Sequence, residues 1–211
     1  MSPRSRDPDL RSTAVRVAAR VLAEEGPVAL TARRVAREVG ASTTAVYTYF
    51  GGMEELRREV RRVGFAQLDD RAVALGVTDD PVADLAALTE VYFGFGLDEP
   101  HLYRALFVDR PADGDDEGKG AFDRLVAEIG RCVDTGRFGA GAAGLGPVWA
   151  AQLWSMRHGM VSLCHSGALG GEQARFVLAD MLVRLATGYG DDPRRAERSI
   201  ARGLRRAGSG G

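Results

Sequence analysis

The residues of this chain best suited to recognise a partner are hydroxyls and arginines in its first third. Thr43, Thr44 and Thr48 recur at helical spacing, and none of them falls in the apolar stripe formed by Val46 and Phe50. Hydroxyl and methyl groups on one exposed helix face suit base edges and thymine methyl groups, while arginine suits guanine and phosphate oxygens. The pattern is typical of a helix that enters a DNA groove.

Two short helices separated by a Gly-Ala turn would position these side chains. Thr31 and Ser42 are suited to cap the two helices, because a hydroxyl oxygen can accept from an amide two or three residues on. The first helix has Val35 and Val39 in its inner stripe and ends at Gly40. In a helix-turn-helix, the first helix crosses the DNA backbone and the second reaches base edges. On periodicity alone, a pair of surface helices in an all-helical protein is an alternative.

The charge distribution favours the DNA-binding interpretation. The whole chain has a formal net charge of −1. Residues 1–64 contain 12 arginines and 8 acidic residues, a net charge of +4, whereas residues 65–211 have a net charge of −5. The basic end is therefore the end that contains the two short helices. Arginine predominates over lysine along the whole chain, so its abundance reflects coding composition more than selection for DNA.

The same segment resembles the recognition region of the tetracycline-repressor (TetR) family of bacterial regulators. The family pattern runs Gly, a small residue, Ser, three variable positions, an aliphatic residue, Tyr, any residue, His and Phe, followed by Lys and then Leu. Six positions of this chain match it: Gly40, Ser42, Val46, Tyr47, Phe50 and Leu56. The resemblance extends upstream to a first helix at about residues 9–24, which has Leu10, Ala14, Val17 and Val21 in stripe.

Three departures from the family pattern affect the expected DNA contacts. Tyr49 stands where the family usually has His, Gly51 and Gly52 replace a polar pair, and Met53 replaces a Lys that commonly touches phosphate. Tyr49 can still donate a hydrogen bond, but Met53 supplies no charge. Phosphate binding is therefore expected to depend on Arg34, on the two helix caps and on the arginines of the following helix.

The resemblance implies a role for each exposed residue of the motif. Arg33 is expected to contact guanine. Base edges and thymine methyl groups are expected to meet Thr43, Thr44 and Thr48. Phosphate oxygens are expected to bind the other five positions: Thr31, Arg34, Ser42, Tyr47 and Tyr49.

Apolar periodicity predicts an all-α chain of about nine helices, three in an N-terminal helix-turn-helix domain and six in a larger domain. The expected domains are residues 1–52 for DNA binding, 53–193 for ligand binding and dimerisation, and 194–211 as a disordered, arginine-rich tail. A loop from Asp109 to Gly120 is expected to be mobile. No long apolar run or signal peptide is present, so the protein is expected to be soluble, cytoplasmic and without membrane association.

A second resemblance concerns the helix from Gln152 to Leu163. It is similar to the Trp, His, Gly helix of one subgroup of TetR-like C-terminal domains, with Trp154, His158 and Gly159 at the three positions. In that family the last two long helices pair with those of a second subunit, so the resemblance implies a homodimer. Two recognition helices about 34–36 Å apart, or a multiple of that, would then read successive major grooves of a near-palindromic, double-stranded operator.

Aromatic residues of the larger domain are expected to line a pocket for a small hydrophobic or aromatic effector, because the family arrangement places their helices around a cavity. Ten residues are expected to contribute: Phe65, Tyr92, Phe95, Tyr103, Phe107, Phe122, Trp149, Gln152, Trp154 and His158. An effector that binds only the conformation with the wrong spacing of recognition helices would release the dimer from DNA. In the alternative, these rings only pack the core and the regulator has no effector.

The sequence offers no coherent cofactor, metal or catalytic pattern. Its three histidines lack the i, i+4 spacing of a helical metal pair, and Cys132 and Cys164 form no CxxC pair and are expected to be reduced. An enzyme that uses the larger domain is a further alternative, but no acid–base or nucleophile set supports it. The sequence therefore predicts a ligand-responsive transcriptional regulator, a repressor, without cofactor or catalytic residues.

Overall fold

The computed structural model describes residues 8–108, 118–139 and 144–208, and these contain helices and no strand. The helices are α1 (Pro8–Glu25), α2 (Ala32–Glu38), α3 (Thr43–Phe50), α4 (Met53–Ala74), α5 (Pro81–Asp98), α6 (Pro100–Phe107), α7 (Lys119–Asp134), α8 (Gly146–His165), α9 (Gly171–Gly188) and α10 (Pro193–Gly208). The all-α prediction is confirmed, with ten helices in place of about nine. Residues 109–117 of the predicted loop lie outside the described residues. None of the ten helices combines the length and apolar character needed to cross a membrane.

Two compact units divide the chain. One comprises Met1–Gln67 and Glu99–Glu117, and the other comprises Leu68–Asp98 and Gly118–Gly211. The boundary falls within α4, later than the predicted boundary after residue 52. The physical reason is that α6 packs against α1 and accepts hydrogen bonds from α4, so the first unit needs more chain than the helix-turn-helix alone.

In the first unit α1 packs against α2 and α6, and α2 packs against α3. Ala14 and Val21 of the predicted α1 stripe are buried. Arg61 of α4 is 2% exposed and donates to the carbonyl oxygens of Ala105 (3.2 Å) and Leu106 (2.7 Å). Those carbonyls lie in the last turn of α6, where the helix itself supplies no amide partner. The buried guanidinium therefore caps α6.

The central helix of the second unit is α5, which packs against α7, α8, α9 and α10. Leu85, Tyr92, Phe93 and Phe95 are buried, and buried residues occur on every side of this helix. A helix that is apolar all round has to be surrounded by others, whereas a surface helix keeps one polar face. The position of α5 follows from this composition.

The arginine-rich C-terminal segment forms α10 as far as Gly208, and the prediction of a disordered tail is corrected for residues 194–208, with 209–211 outside the described residues. Ala196, Ser199, Ile200 and Gly203 are buried, and α10 packs closely on α5. A Cβ atom placed on Gly203 would lie 2.0 Å from the carbonyl oxygen of Ala83. Small residues on one face let the backbones of α5 and α10 touch, and this contact orders the segment.

Candidate nucleic-acid interface

Both predicted helix caps of the recognition segment are present. The Thr31 hydroxyl accepts from the amide of Arg34 at 3.2 Å, and the Ser42 hydroxyl accepts from the amide of Ala45 at 3.1 Å. Gly40, in the turn between α2 and α3, has φ +67°, a conformation that glycine adopts without steric cost. The sequence thus fixes where each helix begins and where the chain turns.

The two faces of α3 are divided as predicted. Val46 and Phe50 are buried and anchor the helix in the first unit. Thr43, Thr44 and Thr48 are exposed, Tyr47 is 51% exposed and Tyr49 is half-buried. An eight-residue helix with two apolar anchors therefore presents a polar and aromatic surface to solvent.

The threonine hydroxyls of α3 differ in what they can offer a partner. Thr48 donates its hydroxyl hydrogen to the carbonyl oxygen of Thr44, one turn earlier, at 2.8 Å. Thr48 therefore offers acceptor lone pairs and a methyl group, but its only side-chain donor is engaged. Thr43 forms no side-chain hydrogen bond within the described part of the chain, so its hydroxyl is available both to donate and to accept.

Two arginines of α2 are exposed and have no ion pair among the described residues, Arg33 and Arg37. They are four residues apart, so they lie on the same side of the helix, opposite the buried Val35. Arg33 was predicted from the sequence, whereas Arg37 was not. The i, i+4 spacing outside the apolar stripe was the signal that could have found it.

The other arginines expected to hold phosphate are already paired. Arg34 forms ion pairs with Glu25 and Glu38, both at 2.7 Å. Three arginines in the first half of α4 pair with acids three residues earlier: Arg57 with Glu54, Arg58 with Glu55 and Arg62 with Glu59. Arg61 is buried against α6, so the expectation that it contacts phosphate was wrong. Among the described residues of α2, the exposed arginines that have no ion pair are therefore Arg33 and Arg37.

Four of the predicted pocket residues meet in the second unit. The ring centroid of Trp154 lies 5.8 Å from those of Tyr92 and Phe122 and 4.9 Å from that of His158. The Tyr92 hydroxyl lies 2.8 Å from Nδ1 of His158. The guanidinium of Arg157 lies over the Tyr92 ring at 4.5 Å. We call Tyr92, Phe122, Trp154 and His158 the Tyr92 cluster.

The Tyr92 cluster holds a neutral histidine. Burial, together with the neighbouring Arg157 cation, lowers the pKa of His158 to about 4. At pH 7 the imidazole is therefore uncharged, and it pairs with the Tyr92 hydroxyl as one neutral polar group among rings. The Tyr92 cluster therefore combines ring faces with one neutral polar pair, beside the Arg157 cation.

The other six predicted pocket residues lie elsewhere. Trp149 stacks on Tyr189 at 4.3 Å, and the exposed Gln152 accepts from the Tyr189 hydroxyl at 2.7 Å. Phe95 is fully buried in the core around α5. The remaining three belong to the first unit, where Phe107 packs with Phe65 and Tyr103 at centroid distances of 5.4 and 5.0 Å. The ten residues therefore form several separate groups.

An open apolar groove of about 780 Å³ runs between α8 and α9. Val148 of its lining is exposed, and Leu163 of α8 and Phe176 of α9 are exposed as well. The groove is lined by Val148, Ala151, Gln152, Ser155, Met156, Gly159, Met160, Met181, Arg184 and Leu185. We call this surface the α8–α9 face.

The described residues contain no group of three or more His, Cys, Asp or Glu that could hold a metal ion. Cys132 and Cys164 are free thiols, and burial raises the pKa of both. A raised pKa keeps a thiol protonated and unreactive.

Comparison with known proteins relates both units to one family of regulators. Residues 14–60 match the family described as "Bacterial regulatory proteins, tetR family", and residues 85–186 match the "Tetracyclin repressor-like, C-terminal domain". The uncharacterized HTH-type transcriptional regulator Rv0681 of Mycobacterium tuberculosis is 30% identical over 185 residues, which cover 84% of this chain and 80% of that protein.

Solved structures share the fold at low sequence identity. The fatty acid degradation regulator FadR of Bacillus halodurans superposes with a TM-score of 0.75 at 13% identity, covering 88% of this chain and 99% of that one. The transcriptional regulator FadR of Bacillus subtilis, in complex with stearoyl-CoA, gives 0.72 at 14% identity, covering 84% and 98%. These families and relatives are transcriptional regulators and not enzymes. The chain therefore belongs to the TetR family of DNA-binding transcriptional regulators.

Proposed function

We propose that this regulator is a repressor that binds a near-palindromic operator as a homodimer and leaves it when a small, mostly hydrophobic effector binds. The observation that carries the proposal is that α3 has one buried apolar face and one exposed polar face. Val46 and Phe50 fix it to the first unit, while Thr43, Thr44 and Tyr47 face solvent. As a DNA-binding repressor it would act in the cytoplasm, where the bacterial chromosome lies.

Base reading is assigned to Arg33 and the threonines of α3. The Arg33 guanidinium is exposed and unpaired among the described residues, so it can donate two hydrogen bonds to one guanine without breaking an ion pair. Thr43 and Thr44 lie in the first turn of α3, the part of a recognition helix that reaches base edges. Thr48 supplies its methyl group, because its hydroxyl hydrogen is bound within the helix.

Phosphate binding is assigned to hydroxyl groups and to one further arginine. Thr31, Ser42, Tyr47 and Tyr49 keep their proposed roles. Arg34 would have to exchange its ion pairs with Glu25 and Glu38 for a phosphate, so it contributes less than its charge suggests. Arg37 takes that place, because it is exposed and has no ion pair within the described residues.

The α8–α9 face is the proposed surface of dimerisation. It combines an apolar groove with exposed valine, leucine and phenylalanine side chains, which is unfavourable in water and favourable against a second copy. Gly159, which has open space around its Cβ position, allows close approach of a partner helix. Trp154, His158 and Gly159 support assignment to the subgroup with a Trp-His-Gly helix.

The Tyr92 cluster is the proposed point of contact for the effector. Its rings provide apolar area, and its neutral Tyr92–His158 pair provides one polar group that can orient a ligand. The stearoyl-CoA bound to the Bacillus subtilis regulator shows that this fold accommodates a long apolar ligand. We therefore propose effectors in the class of long-chain acyl or aromatic compounds.

The effector is expected to act by differential affinity for two conformations of the dimer. A ligand that binds only the conformation unable to span two half-sites shifts the population away from DNA by mass action. Reversal from about 99% bound to about 99% free requires roughly 5.5 kcal/mol of differential affinity. Burial of one aromatic or acyl ligand can supply this amount.

The proposal is tested by competition on a duplex enriched from a random library. Fluorescence anisotropy of the labelled duplex is followed while stearoyl-CoA, fatty acids or small aromatic compounds are added. We expect at least one compound to weaken DNA binding by roughly tenfold or more and to raise the thermal midpoint of the DNA-free protein.

The effector test also includes the variant Tyr92→Phe, which keeps the aromatic ring and removes the hydroxyl bound to His158. We expect this variant to bind DNA normally and to need about tenfold more effector, the equivalent of one lost hydrogen bond. If no compound of a broad apolar panel changes either DNA affinity or the thermal midpoint, the protein is a regulator without a small-molecule effector.

A further inference from the structure

The amphipathic helix α10 places its arginines beside a second cavity of the second unit. Its apolar side is buried against α5, and its other sides carry exposed arginines. The cavity, about 660 Å³, is polar and lies between α10 and the loop before α5. Its lining consists of Thr78, Asp79, Asp80, Ala83, Arg137, Arg195, Arg198, Ser199, Arg202, Gly203 and Arg206. We call it the α10 groove.

The floor of the α10 groove is electrically balanced. Arg137 is 2% exposed and is held by Asp80 at 2.7 Å and Asp191 at 2.6 Å. Arg202 shares Asp80, and Arg206 pairs with Asp84 at 2.7 Å. These side chains are fixed by one another, so they form a preorganised polar base rather than a surface seeking counter-ions.

The rim of the α10 groove carries an excess of positive charge. Arg195 and Arg198 line it, are exposed and have no ion pair among the described residues. They are three residues apart, so they lie on the same side of α10. The lining contains one further carboxylate, Asp79, which leaves the rim net positive after the floor pairs are discounted.

We propose that the α10 groove binds a small organic polyphosphate. Each guanidinium can hold one phosphate group through two parallel hydrogen bonds, so two guanidinium groups on one side of a helix can hold the two phosphate groups of a diphosphate. The cavity volume lies in the range of small-molecule sites, and its concave form suits a compact ligand better than an extended polymer. This site shares no residue with the base-reading surface or with the Tyr92 cluster.

The proposal is tested by calorimetric titration of the full-length protein with inorganic pyrophosphate and with ADP at moderate salt. We expect both to bind with a dissociation constant below about 1 mM. Arg195→Gln and Arg198→Gln are each expected to weaken binding about tenfold, as one lost charge-assisted bidentate contact implies. The matched control is Arg194→Gln, an exposed arginine of the same helix that does not line the groove, with an expected change below about twofold.

Equal weakening by all three substitutions would overturn the site, because it would indicate attraction by net charge alone. Absence of binding up to about 10 mM would also overturn it. If duplex DNA displaces pyrophosphate from the unsubstituted protein and from Arg194→Gln, but not from Arg195→Gln or Arg198→Gln, that result would reassign the groove to nucleic acid. Circular dichroism and thermal midpoints equal to those of the unsubstituted protein would show that the exposed substitutions leave the fold intact.

Discussion

Gly203→Ala is expected to lower the free energy of unfolding by about 2–3 kcal/mol, the upper part of the range for overpacking a closely packed contact. The new Cβ atom would lie 2.0 Å from the carbonyl oxygen of Ala83 and 2.9 Å from the Cβ atom of Ala86. Backbone atoms cannot move aside as the end of a flexible side chain can, so α10 has to shift away from α5. That shift also separates Ile200 from the core.

Gly130→Ala is the matched control for Gly203→Ala, because Gly130 also lies inside a helix but has nothing within 4 Å of its Cβ position. It is expected to stabilise the protein by about 0.5–1 kcal/mol through the better helix propensity of alanine. Urea unfolding followed by circular dichroism measures both variants. Equal stability of the two would show that α10 does not pack on α5 in solution.

Ser155→Arg is expected to convert the dimer to a monomer and to weaken operator binding by roughly 100-fold or more. Ser155 is exposed and lines the apolar α8–α9 face, so the folded monomer tolerates an arginine there. In a dimer the new guanidinium would be buried against apolar side chains and against the same arginine of the second subunit. Burial of a charge without a counter-ion is costly. Because two linked half-sites can exceed one in affinity by factors of about 100 to 10,000, loss of the dimer removes most of the binding.

Sedimentation equilibrium distinguishes the two states, since the chain mass is 22.6 kDa and the dimer has twice that mass. The matched control is Ala127→Arg, which adds the same charge at an exposed position of α7 outside the α8–α9 face. We expect it to leave both dimer mass and operator affinity unchanged. A Ser155→Arg protein that stays dimeric and binds the operator normally would exclude the α8–α9 face as the interface.

The recognition segment could be predicted from the sequence because its signals are local. A hydroxyl that caps a helix acts within three residues, and Val46 and Phe50 identify the inner face of α3 by their spacing alone. The exposure of Arg37 also follows from a local signal, its spacing of four residues from Arg33. Local signals therefore predict the backbone and the faces of the helix-turn-helix.

Features that depend on contacts distant in sequence could not be predicted. The burial of Arg61 depends on the carbonyl groups at the end of α6, about 45 residues later in the chain. The order of α10 depends on a stripe of small residues that fits against Ala83, and the surrounding arginines made this segment resemble a solvated tail. The helical spacing of aromatic residues also does not distinguish residues that line a cavity from residues that pack the core. Phe95, which is fully buried, is an example.

The central claim, that α2 and α3 read DNA bases for a two-fold symmetric protein, is tested most directly by selection from random duplexes, performed in parallel with the unsubstituted protein and Arg33→Ala. We predict a near-palindromic consensus with half-sites about 10–10.5 bp apart or a multiple of that. We also predict that Arg33→Ala relaxes one base pair in each half-site and weakens specific binding by about 1–3 kcal/mol. No enriched sequence, or an unchanged consensus with equal loss of affinity on random DNA, would contradict the account.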